Sequence, residues 1–438
     1  MNSNLSEQLI EKQDKQEDQI LSIKDTFLQS LYLGCISFGG PVAHIGLFRQ
    51  YLIQEKKMIC EKKFTALFTL SNILPGPTSS QLYTVISTVN SRSLLGGLVS
   101  FIGFNIPSLI IVLLFTSLFY NSVNTNKYRK DENSSLSMNL LYIFSLGLAQ
   151  GALGIVIQAG LTLGKRVADT YLQMILLISS AVFYFLYNSY MNMLIIMILS
   201  GVITILFVYF LEFNEENKSL ESLDYGSEMP EINNSGKILI VAFALIFLIL
   251  IGLTSIYHNL TLYLMLKFYT IGSLIFGGGH VVIPMIMSEF SSKGYLSEID
   301  VINGFSFISL LPGPMFNIAG FVGTLINGVF AGLMSAICIF APGILLVLAT
   351  YPYLNYVKNL RYVQIFLKGV SSASIGFIFS AGFTLWLETC YFNRYSIWWV
   401  GTINVSICYT IIVLNYMAPV AIIFGGLFLS IFTLLGIN

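Results

Sequence analysis

Proline–glycine motifs within apolar parts of the chain are the residues best suited to chemistry. Leu-Pro-Gly-Pro occurs at residues 74–77 and again at 311–314, each time after a Phe-Gly-Gly motif, at 38–40 and at 276–278. Proline removes a backbone donor and glycine releases the chain from helical geometry, so each motif predicts a helix break with unpaired N–H groups. Hydrocarbon cannot satisfy such groups, whereas a bound anion can.

The charge that these breaks can hold follows from the helix dipole. Pro41 and Pro77 each suit the first position of a new helical segment, and Thr78, Ser79 and Ser80 follow the second of these prolines. Each helix N-terminus carries about half a positive charge, so four converging breaks would offset about two negative charges without a buried lysine. A tetrahedral oxyanion with two charges fits such a site.

A purely structural interpretation of the breaks competes with this functional one. Glycine and proline are common in transmembrane helices, where they form kinks or points of close packing. Repetition of the same tetrapeptide favours function, because packing alone does not require it. Polar side chains beside both copies also favour a protein-lined or wet cavity. They are Ser71, Asn72, Ser79, Ser80, Gln81, Thr84, Ser87, Thr88, Ser306, Ser309, Asn317 and Thr324.

Ionisable side chains near the breaks are candidates for moving a proton. His44 and His280 follow shortly after the matched glycines, where each could titrate near neutral pH or serve only as a hydrogen bond between helices. Glu289 and Glu388 are the acidic residues best placed within or near apolar segments. Arg49 could contact an anion directly, or it could mark the edge of a basic loop.

The composition places the chain in a membrane. Hydrophobic residues make up 55% of the 438 residues and charged residues only 10%, with a mean hydropathy of +0.77. These values predict a polytopic, all-α membrane protein. The formal net charge of zero argues against a nucleic-acid partner, which requires an excess of lysine and arginine. The five cysteines lack paired spacing, so neither a disulfide framework nor a metal site is expected.

The chain contains an internal repeat. The matched motifs are separated by 276 − 38 = 238 residues and by 311 − 74 = 237 residues, and Pro107 and Pro342 are separated by 342 − 107 = 235. A separation that hardly drifts, in a hydrophobic chain, is typical of transporters built from two related halves.

Apolar windows divide the chain into two sets of six segments. The sequence predicts a polar N-terminal tail at 1–26, a first repeat at 27–211, an acidic linker with an unmatched helix at 212–261, and a second repeat at 262–438. Most windows approach the roughly 20 residues that a membrane-crossing helix needs. The first six windows are 27–48, 64–90, 94–120, 139–163, 170–188 and 190–211. The unmatched window is 238–257, and the second six are 262–289, 300–327, 329–351, 365–386, 394–414 and 416–436.

The unmatched helix bears on how the halves are oriented. If each half crosses the membrane an even number of times, this helix turns the second half over and gives an inverted repeat. If one motif segment per half only dips into the membrane and returns, the repeat is parallel. We predict inversion. Basic residues around Lys127 and Arg361 occupy matched loops, however, and the positive-inside rule would place both loops on one side.

The motif sequences resemble those of the chromate ion transporter family. Residues 38–46 read Phe-Gly-Gly-Pro-Val-Ala-His-Ile-Gly and residues 74–81 read Leu-Pro-Gly-Pro-Thr-Ser-Ser-Gln, which is similar to the family's N-terminal half. Residues 276–284, 311–317 and 320–323 resemble its C-terminal motifs. The resemblance extends over residues 27–437 and implies the long, two-domain form of the family.

The resemblance implies a secondary carrier that exports chromate, with sulfate as a look-alike, driven by membrane energy or proton exchange. Its partners would be a small inorganic oxyanion and the bilayer of the plasma membrane or an organelle, with no cofactor and with a homo-oligomer left open. The sequence departs from the family in one stretch, where residues 55–57 and 61–63 carry lysines in place of arginines. Lysine lacks a bidentate fork, so the physiological anion could instead be sulfate or another small anion.

The residues expected to bind the substrate are the four breaks and the polar or charged side chains beside them. They are Gly39, Gly40, Pro41, His44, Arg49, Pro75, Gly76, Pro77, Ser79, Ser80, Gln81, Gly277, Gly278, Gly279, His280, Pro312, Gly313, Pro314 and Asn317. The proton-coupling candidates are His44, His280, Glu289 and Glu388.

Two other classes of protein compete with a carrier. A membrane enzyme would need a zinc-binding His-Glu pattern, paired intramembrane aspartates or a nucleophile motif, and the sequence has none of these. No catalytic residue is therefore expected. An anion channel could be built on the same helix ends without coupling to protons, and the sequence does not separate a channel from a carrier.

Overall fold

The computed structural model describes most of the chain. The described residues are 20–38, 40–127, 136–187, 189–212, 235–276, 281–353, 361–391, 398–414 and 418–435. Within these ranges the regular structure is helical, and six helices are long and apolar enough to cross a membrane. The prediction of an all-α polytopic membrane protein is confirmed.

The described part of the first half contributes eight helices. They are α1 Ile23–Ile36, α2 Gly40–Phe48, α3 Glu61–Ile73, α4 Thr78–Ser91, α5 Leu94–Lys127, α6 Leu136–Val167, α7 Tyr171–Leu186 and α8 Tyr190–Glu212. Helix α2 continues as a π-helical segment, Arg49–Glu55.

The second half repeats this order after one additional helix, α9. Its helices are α9 Ser235–Tyr257, α10 Leu260–Leu274, α11 Val282–Ile286, α12 Glu298–Leu310, α13 Ile318–Thr350, α14 Arg361–Trp386, α15 Trp398–Val413 and α16 Ala418–Leu434. Helix α11 continues as a π-helical segment, Met287–Ser291, at the position matching that of α2. Helix α13 leaves helical geometry at Asn327 and Gly328, so its two parts correspond to α4 and α5.

Each Phe-Gly-Gly window forms a hairpin that turns back on itself. In the second half, Phe268 on α10 contacts Phe290 after α11, with ring centroids 5.1 Å apart, and the rings of Tyr263 and Tyr295 are 5.8 Å apart. In the first half, the rings of Tyr32 and Tyr51 are 5.8 Å apart. Residues progressively earlier on one arm contact residues progressively later on the other, so the two arms of a hairpin run antiparallel.

The Leu-Pro-Gly-Pro windows form hairpins as well. The Leu21 amide donates to the Asn90 carbonyl at 3.1 Å, which places the end of α4 beside the start of α1. In the second half Asn327 Nδ2 donates to Thr261 Oγ1 at 2.8 Å, so the first part of α13 ends beside the start of α10. Both hairpins of each half therefore enter and leave on one face of the molecule.

Each of the four motif windows is thus a re-entrant hairpin, where the sequence left open that one window per half dips in and returns. Helix α1 has 14 residues, which at 1.5 Å per residue is about 21 Å and less than the hydrocarbon thickness of about 30 Å. Hydropathy over the windows 27–48, 64–90, 262–289 and 300–327 records apolar length but not a reversal of direction. Because two windows per half return, each half still has an even number of crossings.

The two halves are inverted relative to each other. We call the face on which α1 begins the first face, and the opposite one the second face. Phe101, early in α5, packs on Phe340 of α13 with ring centroids 5.3 Å apart, and a Cβ on Gly332, earlier in α13, would lie 3.0 Å from Leu113 Cδ2, later in α5. The two helices therefore run antiparallel, and because α5 begins at the first face, α13 ends there. Its second part starts beside Thr261, and α10 therefore begins at the second face.

Contacts of α5 and α9 agree with this orientation. Phe115, late in α5, stacks on Phe307 of α12 with centroids 3.8 Å apart, on the second-face side of the molecule. Helix α9 begins beside Ala349, where a Cβ on Gly236 would lie 2.6 Å from the Ala349 carbonyl oxygen, and it ends beside the start of α10. The predicted inverted repeat with one linking helix is confirmed, and the C-terminal ends of α5 and α13 lie on opposite faces.

The outer helices of each half pack against outer helices of the other half. Helix α6 packs against α15 and α16, and α14 packs against α7 and α8, through glycines that allow backbones to touch. A Cβ on Gly147 would lie 2.4 Å from the Gly425 carbonyl oxygen, and one on Gly376 would lie 2.4 Å from that of Leu177. The exchanged helices also contact the hairpins of the second half, where α6 packs against α12 and α14 packs against α11.

Candidate substrate site at the crossing of the helix breaks

Two reciprocal backbone hydrogen bonds join the breaks of one half to those of the other. The Gly313 amide donates to the Ser37 carbonyl at 2.7 Å, and the Gly76 amide donates to the Ile275 carbonyl at 2.9 Å. Ser37 and Ile275 are matched positions, since 275 − 37 = 238. Each Leu-Pro-Gly-Pro glycine therefore bonds to the residue that directly precedes the Phe-Gly-Gly motif of the other half.

Glycine is required at both of these crossings. Gly76 has φ +125° and Gly313 has φ +101°, a region that residues with a Cβ rarely adopt. A Cβ on Gly76 would lie 2.8 Å from Gly343 Cα, and one on Gly313 would lie 2.6 Å from Ser108 Oγ. Ser108 and Gly343 directly follow the matched prolines of α5 and α13, so these contacts repeat as well.

The N-terminus of α4 lies within this crossing and has no side-chain cap. Pro77 precedes the helix, and the next residues, Thr78, Ser79 and Ser80, are buried. The first turn of a helix leaves its N–H groups without intrahelical partners, and they carry the positive end of the helix dipole. The N-terminal end of α4 is thus buried and uncapped, and the first Leu-Pro-Gly-Pro motif exposes its N–H donors there.

The matched turn in the second half begins at Pro314 and consists of Met315–Asn317, which is fully buried and leads into α13. It lies against the start of α2, because a Cβ on Gly40, whose φ is +78°, would be 2.8 Å from Met315 Cε. The helix starts of α2, α4 and α13 therefore meet at one place.

His44 connects the α1–α2 break to the start of α4. Its Nε2 is 3.0 Å from the Ser37 carbonyl oxygen and its Nδ1 is 3.2 Å from Ser79 Oγ, and the side chain is fully buried. A carbonyl oxygen only accepts, so Nε2 carries a proton. In the neutral imidazole Nδ1 then accepts from the Ser79 hydroxyl. The Ser37 carbonyl accepts from both His44 and Gly313.

Two amide side chains complete the crossing. Gln81 Nε2 donates to the Pro75 carbonyl at 2.9 Å and to the Gly343 carbonyl at 3.0 Å, so this side chain turns back to the break and joins the two halves. Asn317 Nδ2 contacts Ser108 Oγ on α5, which joins the halves a second time. Gln81 and Asn317 lie where the chain becomes helical after the two Leu-Pro-Gly-Pro breaks. They bond to Gly343 and Ser108, each of which directly follows one of the matched prolines, Pro342 and Pro107.

Several polar atoms at this crossing lack a partner within the described residues. They are Ser80 Oγ, Gln81 Oε1, Thr84 Oγ1 and Asn317 Oδ1, all on side chains that are at most 1% exposed. Leaving a buried polar group unpaired is costly, so a ligand or water that bonded to these atoms would be stabilised.

Two charged candidates lie away from the crossing. Arg49 Nε is 2.9 Å from Glu61 Oε1, and both side chains are about half exposed at the first face. Glu289 is 2% exposed in the π-helical segment after α11, where it pairs with Lys267 at 3.0 Å and with Lys293. Among the described side chains at the crossing there is no lysine, arginine, aspartate or glutamate. The positive potential there therefore comes from helix ends.

Other candidates lie outside the described residues. They are Gly39, Gly277, Gly278, Gly279 and His280. Glu388 belongs to the π-helical segment Leu387–Tyr391 after α14, but its side chain is not among those described.

Sequence reasoning missed Ser37, Ile275, Ser108 and Gly343. Ser108 and Gly343 had a usable signal, because each directly follows a proline that repeats at matched positions. Ser37 and Ile275 contribute a backbone carbonyl, for which no residue type is needed, so their role had no sequence signature.

Comparison with known proteins yields one family. The sequence model described as "Chromate transporter" matches residues 24–205 and 262–431. A chromate transport protein of Pseudomonas aeruginosa is 21% identical over 82% of this chain and 80% of its own length. An uncharacterized transporter of Methanocaldococcus jannaschii is 26% identical over 80% of this chain and 81% of its own.

A probable chromate transport protein of Synechococcus elongatus is 23% identical over 82% of this chain and 84% of its own length. No solved structure matches the chain.

Proposed function

Because the chain belongs to the chromate transporter family, we propose that it is a secondary active carrier of a tetrahedral oxyanion, with chromate as the first candidate. The anion is held at the crossing of the helix breaks, by the free N–H groups of α4 and of the matched turn before α13. Sulfate is the second candidate, because it has the same shape and charge.

The pair of reciprocal hydrogen bonds, Gly313 to Ser37 and Gly76 to Ile275, carries this proposal. Together the bonds bring helix starts from both inverted halves to one buried place. A carrier works by rearranging two repeats around a binding site at their interface, and discontinuous helices supply the ends that hold the ion. The uncapped start of α4 and the unpaired hydroxyl of Ser80 support an anion as the ligand.

The names of the relatives support chromate as the substrate. The chromate transport protein of Pseudomonas aeruginosa and the probable chromate transport protein of Synechococcus elongatus each match 82% of this chain. None of the compared relatives is named as an enzyme, which supports transport over catalysis.

Proton coupling is the finer part of the proposal. His44 is the best placed group, because its two ring nitrogens connect the first break to the start of α4. Protonation of Nδ1 would force the Ser79 hydroxyl to turn, and this change would reach the anion site directly. Glu289, held by two lysines, and the candidates His280 and Glu388 are the alternative proton carriers.

An anion channel or an uncoupled carrier remains the alternative function. Uptake of labelled chromate and labelled sulfate into proteoliposomes, with and without an imposed proton gradient, separates the possibilities. The proposal expects concentrative uptake of chromate that depends on the gradient, and the extent to which sulfate competes identifies the preferred anion. Uptake that only equilibrates the anion would contradict coupling and favour a channel. If protein-containing and protein-free vesicles take up both anions equally, the substrate assignment is wrong.

A further inference from the structure

We propose that the oxyanion occupies this site in its singly protonated form, as hydrogen chromate, so that one proton is carried on the substrate itself. This inference rests on the proposed function and names the charge state of its substrate. The main evidence is the orientation of the Gln81 side-chain amide. The absence of a lysine or arginine among the described residues of the crossing supports it.

The orientation of the Gln81 amide is fixed by its neighbours. Both contacts of its amide group, at 2.9 and 3.0 Å, are to carbonyl oxygens, those of Pro75 and Gly343. Carbonyl oxygens only accept, so the atom that faces them is the NH₂ group. The remaining amide atom, Oε1, is therefore an acceptor, and it has no partner although the side chain is fully buried.

A free acceptor beside an anion site selects for a ligand that donates. An unprotonated oxyanion offers only acceptor oxygens and would be repelled by Gln81 Oε1. A hydrogen oxyanion has one O–H group, which can donate to Oε1, and three other oxygens that can accept from the N–H groups of α4 and from Ser80 Oγ. The Asn317 amide can present either atom, because its partner Ser108 is a hydroxyl that donates or accepts.

The charge at the crossing also favours a singly charged ligand. Its positive potential comes from helix ends, each worth about half a charge, without a lysine or arginine among the described side chains at the site. Burying one negative charge in such a place costs much less than burying two. Arg49 and Glu61 form an ion pair with each other at the first face and do not reach the site.

Titratable groups near Gln81 could also respond to pH and must be distinguished from the ligand. They are His44 on α2, Tyr83 on α4 itself and Cys338 on α13. The charged side chains of α1 and α3 lie at the opposite ends of those helices from the breaks, and the described part of α5 before residue 119 has none. Of these groups only histidine ordinarily titrates between about pH 5 and 8.

The test is binding of three tetrahedral anions to the purified, full-length protein at about pH 6 and about pH 8. Chromate takes up a proton near neutrality, sulfate stays an unprotonated dianion, and perrhenate stays an unprotonated monoanion. Only the protonated fraction of chromate is competent, so we expect its apparent affinity to fall by more than about tenfold from the lower to the higher pH. Sulfate and perrhenate are expected to bind weakly at both.

Perrhenate also controls for His44. If perrhenate binding shows the same pH dependence as chromate binding, the protein titrates rather than the ligand, and the inference is overturned. Sulfate binding as strong as chromate binding would overturn it too, because it would show that the site accepts a dianion.

A variant tests the role of Gln81 directly. Gln81→Met removes the acceptor while keeping the length of the side chain, and we expect about a tenfold loss of chromate affinity at the lower pH with no loss for perrhenate. Equal losses for both anions would contradict the role of Oε1. Ser100→Ala is the matched control, because Ser100 is buried on α5 and bonds only within its own helix at 2.7 Å. The wild-type series stands even if Gln81→Met folds poorly.

The outcomes separate this inference from the proposed function. Chromate or sulfate binding that strengthens with rising pH would overturn the protonated substrate and leave an oxyanion carrier in place. Failure of all three anions to bind at either pH would overturn both.

Discussion

Ser37 and Gly313 are joined by a backbone hydrogen bond of 2.7 Å, although 313 − 37 = 276 residues separate them in the chain. The same Ser37 carbonyl accepts from His44 Nε2 at 3.0 Å. One peptide carbonyl thus connects the break of the first repeat, the break of the second repeat and the imidazole beside the start of α4.

Gly313→Ala should abolish transport and lower stability. The change forces a Cβ to within 2.6 Å of Ser108 Oγ at φ +101°, and the strained backbone alone costs about 1–2 kcal/mol. Gly294→Ala is the matched control, because Gly294 also has positive φ, +74°, but has open space around its Cα. Thermal unfolding in detergent and uptake into proteoliposomes measure both effects. Equal loss of uptake in the two variants would contradict a special role for the Gly313 crossing.

His44→Leu should weaken transport and destabilise the fold by about 1–3 kcal/mol, because Ser79 Oγ and the Ser37 carbonyl each lose a buried partner. His44→Gln keeps one of these hydrogen bonds and should lose less stability. If His44 also carries the coupling proton, His44→Gln should transport chromate without accumulating it. His258→Asn is the control, because His258 is exposed in the turn between α9 and α10. Full concentrative uptake by His44→Gln would exclude His44 as the proton carrier.

Ser80→Ala should weaken substrate binding with little change in stability. Ser80 Oγ has no partner in the folded protein, so its removal breaks no internal hydrogen bond. Loss of a hydrogen bond to a charged ligand corresponds to about a tenfold increase in Kd. Ser100→Ala, whose hydroxyl bonds only to its own helix, serves as the comparison. Unchanged chromate affinity in Ser80→Ala would remove Ser80 from the proposed site.

Arg49→Ala should leave chromate affinity almost unchanged and reduce stability by less than about 1 kcal/mol, because an exposed ion pair contributes little. Glu61→Ala removes the other member of the same pair and is the matched comparison. The two variants should behave alike in both assays. A selective loss of transport in Arg49→Ala would show instead that this arginine contacts the substrate.

The turns after α4 and after α9 should react with a membrane-impermeant thiol reagent from opposite sides. Arg92→Cys places a thiol in the first turn and His258→Cys in the second, in a background without the five native cysteines. The inverted arrangement predicts that intact vesicles of one orientation label only one of these positions. Labelling of both from the same side would contradict the inversion.

Much of this architecture could be predicted from the sequence because it is repeated. The constant offset between the Leu-Pro-Gly-Pro motifs and the unmatched window at 238–257 were enough to predict two related, inverted halves. Direction within a window could not be predicted, since α1 and α2 are as apolar together as a single crossing helix. Nor could the pairing of Gly76 with Ile275, because a backbone carbonyl acts without regard to residue type. Gln81 was predicted as a site residue, whereas its bond to Gly343 depends on tertiary packing.

The near-equivalence of the two halves has a consequence for the direction of transport. In a perfectly symmetric inverted repeat, the state open to one face and the state open to the other would be equal in energy. Here the matched positions differ at the site itself, since Ser80 corresponds to Asn317 and Gln81 corresponds to Ile318. In the proposed carrier, differences such as these at the site would set its resting preference for one face.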